Sequence, residues 1–426
     1  MNKRGLKRTA ASVAAAALLV AVPLGRAAKA AGTDTGFHVY WKDGIRADTA
    51  DKSFRLKIGG RIMNDWAFFG IDDQLKADVG PFDDGTEFRR ARLYVAGEIY
   101  GSVIFKAQYD FAGGDADFKD MYIGLKGLPG HTTLKVGHFK EPFGLEELTS
   151  SKYITFLERS FAATFAPSRN TGLGLSGACM DERVTWAAGI FRDVGSFGDA
   201  KGDAYNVTAR LTGLPLYADD GATLVHVGLA YSRKNPDDTV RFKAHPESHL
   251  APTLVDTGSV LADSVDLLGA EAAVVLGPFS LQGEYAWAHI DTAPLPADLT
   301  APGQAAALVG GTQNADLSGY YIQASYFLTG EHRHYKRSHG AFARVKPKEN
   351  FLGKQGGGPG AIELAARWAS IDLTDGPVAG GELDDITVGV NWYLNPNARV
   401  MANYVRADLD SSGEADIFQT RFQIDF

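Results

Sequence analysis

From Phe54 to Phe69 apolar and polar side chains alternate along the chain. Phe54, Leu56, Ile58, Gly60, Ile62, Trp66 and Phe68 fall on one face, and Arg55, Lys57, Gly59, Arg61 and Asp65 on the other. A period of two predicts a strand. An apolar face ending in aromatics, opposite a face with three cations, is the arrangement of a transmembrane β-strand between lipid and water. The same pattern recurs to the C-terminus. It predicts strands at about 54–69, 86–100, 102–112, 118–128, 131–139 and 171–179, then at 183–192, 203–213, 222–232, 264–276, 279–289 and 318–328. The last four fall at 360–373, 384–394, 398–408 and 416–426. Sixteen strands, joined by connections that alternate long and short, predict an all-β fold: a closed antiparallel transmembrane barrel.

The ends of the chain fit that expectation. Phe418, Thr420, Phe422, Ile424 and Phe426 share a face in the last strand, opposite Gln419, Arg421, Gln423 and Asp425. At the other end, Lys3, Arg4, Lys7 and Arg8 precede an apolar run from Ala10 to Val22, and Ala28-Lys29-Ala30 follows. This is the pattern of a cleaved secretory signal over residues 1–30. Residues 31–53 then form a periplasmic arm containing Phe37-His-Val-Tyr-Trp41, and 54–426 the barrel.

Composition narrows the function. The net charge of −8 becomes −14 without the six cations of residues 1–30, which argues against a nucleic-acid partner. A single cysteine, Cys179, excludes an internal disulfide and a thiolate metal cluster. His332, His334 and His339 sit among cations and lack the His-Glu-x-x-His spacing, so they read as a solvated turn. No G-x-S-x-G or phosphate loop is present, and neither catalysis nor a cofactor is expected.

Several longer motifs resemble the phosphate-selective porin O/P family. They are Lys57-Ile-Gly-Gly-Arg61, Glu87-Phe-Arg-Arg-Ala-Arg-Leu93 and the run from Val136 to Lys152. Phe156-Leu-Glu-Arg159, Ser325-Tyr-Phe-Leu-Thr-Gly-Glu331 and Gly389-Val-Asn-Trp-Tyr-Leu-Asn-Pro396 continue the match. The resemblance adds inward-folded loops to the barrel, and implies a homotrimer in outer-membrane lipid that passes inorganic phosphate, polyphosphate or other small anions. It also implies a constriction in which Arg61, Arg89 and Arg90 grip the anion, Asp120 faces them, and Lys52 and Lys57 lead toward them. A general diffusion porin is the alternative; a structural or adhesive barrel and an outer-membrane lipid hydrolase are alternatives of another class.

Strand parity supports part of that site independently. Arg61 shares the polar face with Lys57. On the next strand Ala91, Leu93 and Val95 take the lipid face, so Arg90 and Arg92 point inward; the opposite choice would cost roughly 2–4 kcal/mol per arginine at mid-membrane. Arg89 has the wrong parity and requires a bulge or a strand end. Guanidinium suits the task because its paired donors match an oxyanion and stay charged. The long connection 140–170 reads as the constriction loop, with Lys140 and Lys152 balanced by acids that include Glu147, where phosphate-specific members of the family carry lysine. Finally, residues 329–359 break the rule of short periplasmic turns. Arg333, Lys336, Arg337, Arg344, Lys346, Lys348 and Lys354 outnumber Glu331 and Glu349, and a long exposed periplasmic loop is one reading of this cationic segment. The apolar Phe342, Val345, Phe351 and Leu352, and the family resemblance, imply instead that it enters the lumen from below and lines the exit path with cations.

Overall fold

The computed structural model describes residues 36–193, 198, 204–295, 308–353 and 357–426. The proposed signal segment lies outside these residues, as do Lys354 and the first residues of the arm. Two short strands come first, β1 (Phe37–Trp41) and β2 (Ile45–Thr49). The wall begins with β3 (Phe54–Ile71), β4 (Gly85–Ile99), β5 (Val103–Asp110) and β6 (Asp117–Leu128). It continues through β7 (Thr132–Lys140), β8 (Arg169–Cys179), β9 (Val184–Arg192) and β10 (Asn206–Ala218). Next come β11 (Thr223–Lys234), β12 (Ser259–Leu276), β13 (Phe279–Thr292) and β14 (Ala315–Phe327). The last are β15 (Ala361–Asp375), β16 (Val378–Asn395), β17 (Ala398–Leu409) and β18 (Gly413–Asp425).

Each strand from β3 onward pairs antiparallel with the next, and β18 pairs with β3, so sixteen strands close a barrel. Closure leaves none of the sixteen with an unpaired side along the barrel, which is what lets a sheet sit in lipid. The C-terminus completes the seam: the Gly60 amide donates to the Phe426 carbonyl at 2.7 Å and the Phe426 amide to the Gly60 carbonyl at 3.2 Å. Below the seam the β1–β2 hairpin takes over, with Ile45 opposite Ile58 and Asp48 opposite Arg55 on β3.

The outward face follows the alternation. Ile58, Ile62, Trp66, Phe68, Phe418 and Phe422 are all exposed, while Arg61, Met63, Asp65 and Arg421 between them are buried inside. Several strand bounds differ from the sequence expectation by a few residues, and two of these differences are explained by register shifts. β12 starts at Ser259 rather than near 264 because a register shift between Ala262 and Ser264 carries the ladder past a break in the pattern. β10 runs on to Ala218 because the shift between Gly213 and Leu216 accommodates Pro215, which cannot donate to a ladder.

The interior is not uniformly wet. In the half of the barrel near the long connections, inward residues of β12–β18 such as Val265, Leu267, Ile290, Leu317, Ile371, Val405 and Ile417 are apolar. They pack against Phe143, Phe161 and Phe165 of the 141–168 loop and Val240, Phe242 and Val255 of the 235–258 loop. Two long loops therefore fold into the barrel and fill one side of it. From the opposite end the 329–359 connection also enters. Tyr335 hydrogen-bonds His226 of β11 at 2.7 Å, the Gly340 carbonyl accepts from Arg210 of β10 at 2.8 Å, and the Phe342 amide donates to Thr149 at 3.3 Å.

Candidate functional site

The 141–168 loop is held by the wall on which it rests. Arg421 of β18 donates to the Leu157 carbonyl at 2.5 Å, Arg399 of β17 to the Ile154 carbonyl at 2.9 Å, and Arg367 of β15 to the Glu158 carbonyl at 3.1 Å. Asn391 of β16 reaches the Thr155 carbonyl at 2.8 Å. On β13, Glu284 accepts the Leu145 and Glu146 amides, each at 2.7 Å. Loop carbonyls and amides that would be orphaned inside a barrel are thus satisfied by inward side chains. With its back fixed to β13–β18, the loop turns its other side to the wall formed by β3–β8.

That second wall carries the residues singled out in the sequence. Arg61 of β3 donates to Ser151 Oγ at 2.7 Å and Ser150 Oγ at 3.4 Å on the loop. Among the described residues it has hydroxyl partners and no carboxylate partner. Arg92 of β4 pairs with Asp110 at 2.6 Å. Asp120 of β6 is shared by Lys106 of β5 at 2.5 Å and Arg169 of β8 at 2.8 Å. Lys57 lies 5.6 Å from the Tyr94 ring centre and Lys106 lies 5.3 Å from it. Lys52 stands apart in the exposed turn before β3, at the mouth rather than in the constriction.

The wrong parity of Arg89 is resolved by a bulge. Met63 of β3 faces Arg90 and the next residue, Asn64, faces Phe88, which leaves Arg89 as the extra residue on β4. Arg89 consequently reaches the loop, donating to both oxygens of Glu158 at 2.9 Å each. Arg90 lies 3.7 Å from the same carboxylate, and Arg421 donates to it at 2.8 Å. Burial alone would raise the Glu158 carboxyl; Arg89, Arg90 and Arg421 outweigh it and hold the group well below the usual carboxylate range. The three expected constriction arginines therefore divide into two settings: Arg61 against hydroxyls, Arg89 and Arg90 around a carboxylate.

Glu147 sits between Lys140 at 2.7 Å and Arg159 at 3.1 Å. Burial opposes its charge, but these two cations bring its carboxyl down to about 2, so it stays ionised and cancels part of their field. Lys152 pairs with Asp425 at 2.7 Å, and burial draws its ammonium down to about 8. In the lower segment, Arg333 donates to Gln282 at 2.8 Å and stacks on Phe342, and Arg344 binds Asp425 and lies 3.4 Å from Asp43. Those two arginines are engaged by protein groups. Arg337 pairs with Asp181 at 3.1 Å, and Lys346 and Lys348 are exposed. Lys336 lies 3.0 Å from His339, which borders a cavity of about 950 Å³ beneath the loop, together with Lys126, Lys135 and Lys140.

Lys106, Lys126 and Lys135 were not singled out from sequence, although strand parity points them inward. Lys106 faces Ala96 and Lys135 faces Gly124 and Gly174 across the ladders, small neighbours that leave room for a long side chain. Ser150 and Ser151 gave no signal beyond lying in the loop.

A family model described as phosphate-selective porin O and P matches residues 56–426. The chain belongs to that family. Porin O of Pseudomonas aeruginosa is 29% identical, over 90% of this chain and 91% of that protein. An uncharacterized protein of Caulobacter vibrioides is 28% identical over 91% of this chain and 77% of its own length. Among solved structures, the anion-selective porin from Comamonas acidovorans has a TM-score of 0.54 at 13% identity, over 88% of this chain and all of its own. The outer membrane channel DcaP of Acinetobacter baumannii has a TM-score of 0.53 at 9% identity, over 89% of this chain and 99% of that one. These two likenesses concern the fold. Family and barrel together make the protein a porin channel of the Gram-negative outer membrane.

Proposed function

We propose that the protein is an anion-preferring porin that passes inorganic phosphate, polyphosphate and related small oxyanions, and that it works as a homotrimer in outer-membrane lipid. The observation that carries this reading is Arg61, a buried guanidinium whose partners are two hydroxyls, close to Arg92, Lys106 and Arg169. On this wall the cations outnumber Asp110 and Asp120, so a passing anion meets uncancelled positive charge in a site of low dielectric. The family description and the name Porin O of the relative support phosphate as a solute. Arg89 and Arg90 complete the ring from the bulge side, Asp120 tempers it, and Lys57 continues the positive wall toward the short-turn end.

Asp120 matters for transport as much as the arginines do. A site made only of cations would hold a divalent oxyanion too long, and conduction needs a site weak enough to leave. Glu147 acts in the same direction by cancelling Lys140 and Arg159, which favours broad oxyanion passage over strict phosphate selectivity. The test is single-channel recording in a planar bilayer, with reversal potentials in a potassium chloride gradient and phosphate titrated against chloride current. Anion preference with phosphate block supports the reading. Anion preference without block supports the general-porin alternative, and absence of ion conduction would favour an adhesive or hydrolytic barrel.

A further inference from the structure

The carboxylate of Glu158 occupies the position that an oxyanion would take. Its two oxygens receive the Arg89 Nε and Nη2 donors at 2.9 Å each, the fork geometry in which guanidinium binds carboxylate and phosphate alike. One oxygen also receives Arg421 Nη2 at 2.8 Å and lies 3.7 Å from Arg90 Nη1. Arg90 is underused: it is buried, its Nε has no partner among the described residues, and its Nη1 rests 3.8 Å from the sulfur of Met63. The backbone around Glu158 is fixed, because Arg367 holds its carbonyl and Arg421 holds that of Leu157. The side chain itself is partly accessible from the lumen, with 15% of its surface exposed.

We propose that Glu158 is a resident counter-anion of the constriction, so that a permeating phosphate-class oxyanion gains Arg89 and Arg90 only by displacing it. The proposal rests on the anion-channel reading above and adds a specificity-determining residue to it. Displacement needs only side-chain rotation, since the backbone stays clamped. As the oxyanion arrives it replaces one set of charge-assisted hydrogen bonds with another, and the net gain is small. As it leaves, the carboxylate returns to the fork and the arginines are never left bare. Rapid release follows from exchange, where an empty three-arginine pocket would trap its ligand.

The experiment compares Glu158→Gln with the unchanged protein in planar bilayers, using inorganic phosphate as the probe. Removing the competing charge should lower the phosphate concentration that half-blocks chloride current by about tenfold, the effect of one lumen charge at close range. The double variant Glu158→Gln/Arg89→Ala should lose that gain. Unchanged or weaker block in Glu158→Gln, with the barrel intact by heat-modifiable migration, overturns the proposal. So does a gain that survives loss of Arg89, which would reduce Glu158 to a distant field effect. If Glu158→Gln does not assemble, a crystal structure of the unchanged protein with arsenate decides: the oxyanion at Arg89 with Glu158 turned away supports displacement, and a bound oxyanion beside an intact Arg89–Glu158 pair refutes it. Reversal potential of the unchanged protein, read in the same bilayers, reports separately on the anion-channel reading.

Discussion

The two walls of the barrel use the same residue for opposite purposes. On β15, β17 and β18, Arg367, Arg399 and Arg421 are buried, and each donates to a backbone carbonyl of the 141–168 loop as well as to side chains. On β3, β4 and β8, Arg61, Arg92 and Arg169 face the loop across the lumen and meet hydroxyls or carboxylates. Parity sends both sets inward. What separates them is whether a second segment of backbone lies against the wall. An arginine that satisfies orphaned carbonyls is a structural fastener, and one that meets only hydroxyls or a few acids contributes to the field a solute feels.

The largest effect should follow from breaking the fastening wall. Arg367→Ala leaves Glu146 and Glu247 buried without their partner, ion pairs now at 3.3 and 2.5 Å, at a cost of about 3–5 kcal/mol. The expected outcome is a loop that trypsin can cut, a wider channel and loss of anion preference, read by proteolysis and conductance. On the other wall, Arg61→Ala should leave heat-modifiable migration unchanged and weaken phosphate block by about tenfold, since the residue contributes charge rather than packing. Were Arg61→Ala to unfold the barrel and Arg367→Ala only to shift selectivity, the division between the walls would be reversed. A triple alanine variant of Arg61, Arg89 and Arg90 that kept both preference and block would remove the ring from the mechanism.

Smaller effects sharpen the picture. Deleting 335–355 removes a segment bound to β10 and β11 from the short-turn end, and conductance should rise with a modest fall in anion preference at low salt. No change in either would mean that Lys336 and His339 add nothing to the path. The smallest expected effect concerns Lys152, whose ammonium burial draws down to about 8. It is charged below that pH and neutral above, so anion preference should decline as pH rises through 8. Lys152→Met should remove that step from the reversal-potential profile.

Much of the barrel was legible because lipid enforces alternation on every strand. Phe54–Phe69 and Phe418–Phe426 both carry the pattern, and both lie at the seam. Legibility faded at the start of β12, where the alternation breaks at the register shift between Ala262 and Ser264 and loops rather than water fill the interior. At the site, Arg61 and Arg90 followed from parity, whereas Arg89 needed a bulge that no local pattern announces. Arg421 was placed on the inner face but its role was hidden, because its partner Leu157 lies 264 residues away. Lys106 and Lys135 were readable in principle: their strands were assigned, and only the small residues opposite them, on neighbouring strands, mark the space they occupy.

The seam strand β18 has a consequence for assembly. Arg421, Gln423 and Asp425 on this strand hold Leu157, Lys152 and Lys152 respectively in the loop, and the same strand supplies the closing ladder to β3. A barrel that closed with the loop outside would leave those groups without their loop partners. Sealing the cylinder and seating the constriction therefore draw on the same strand. A change in one is thus felt in the other.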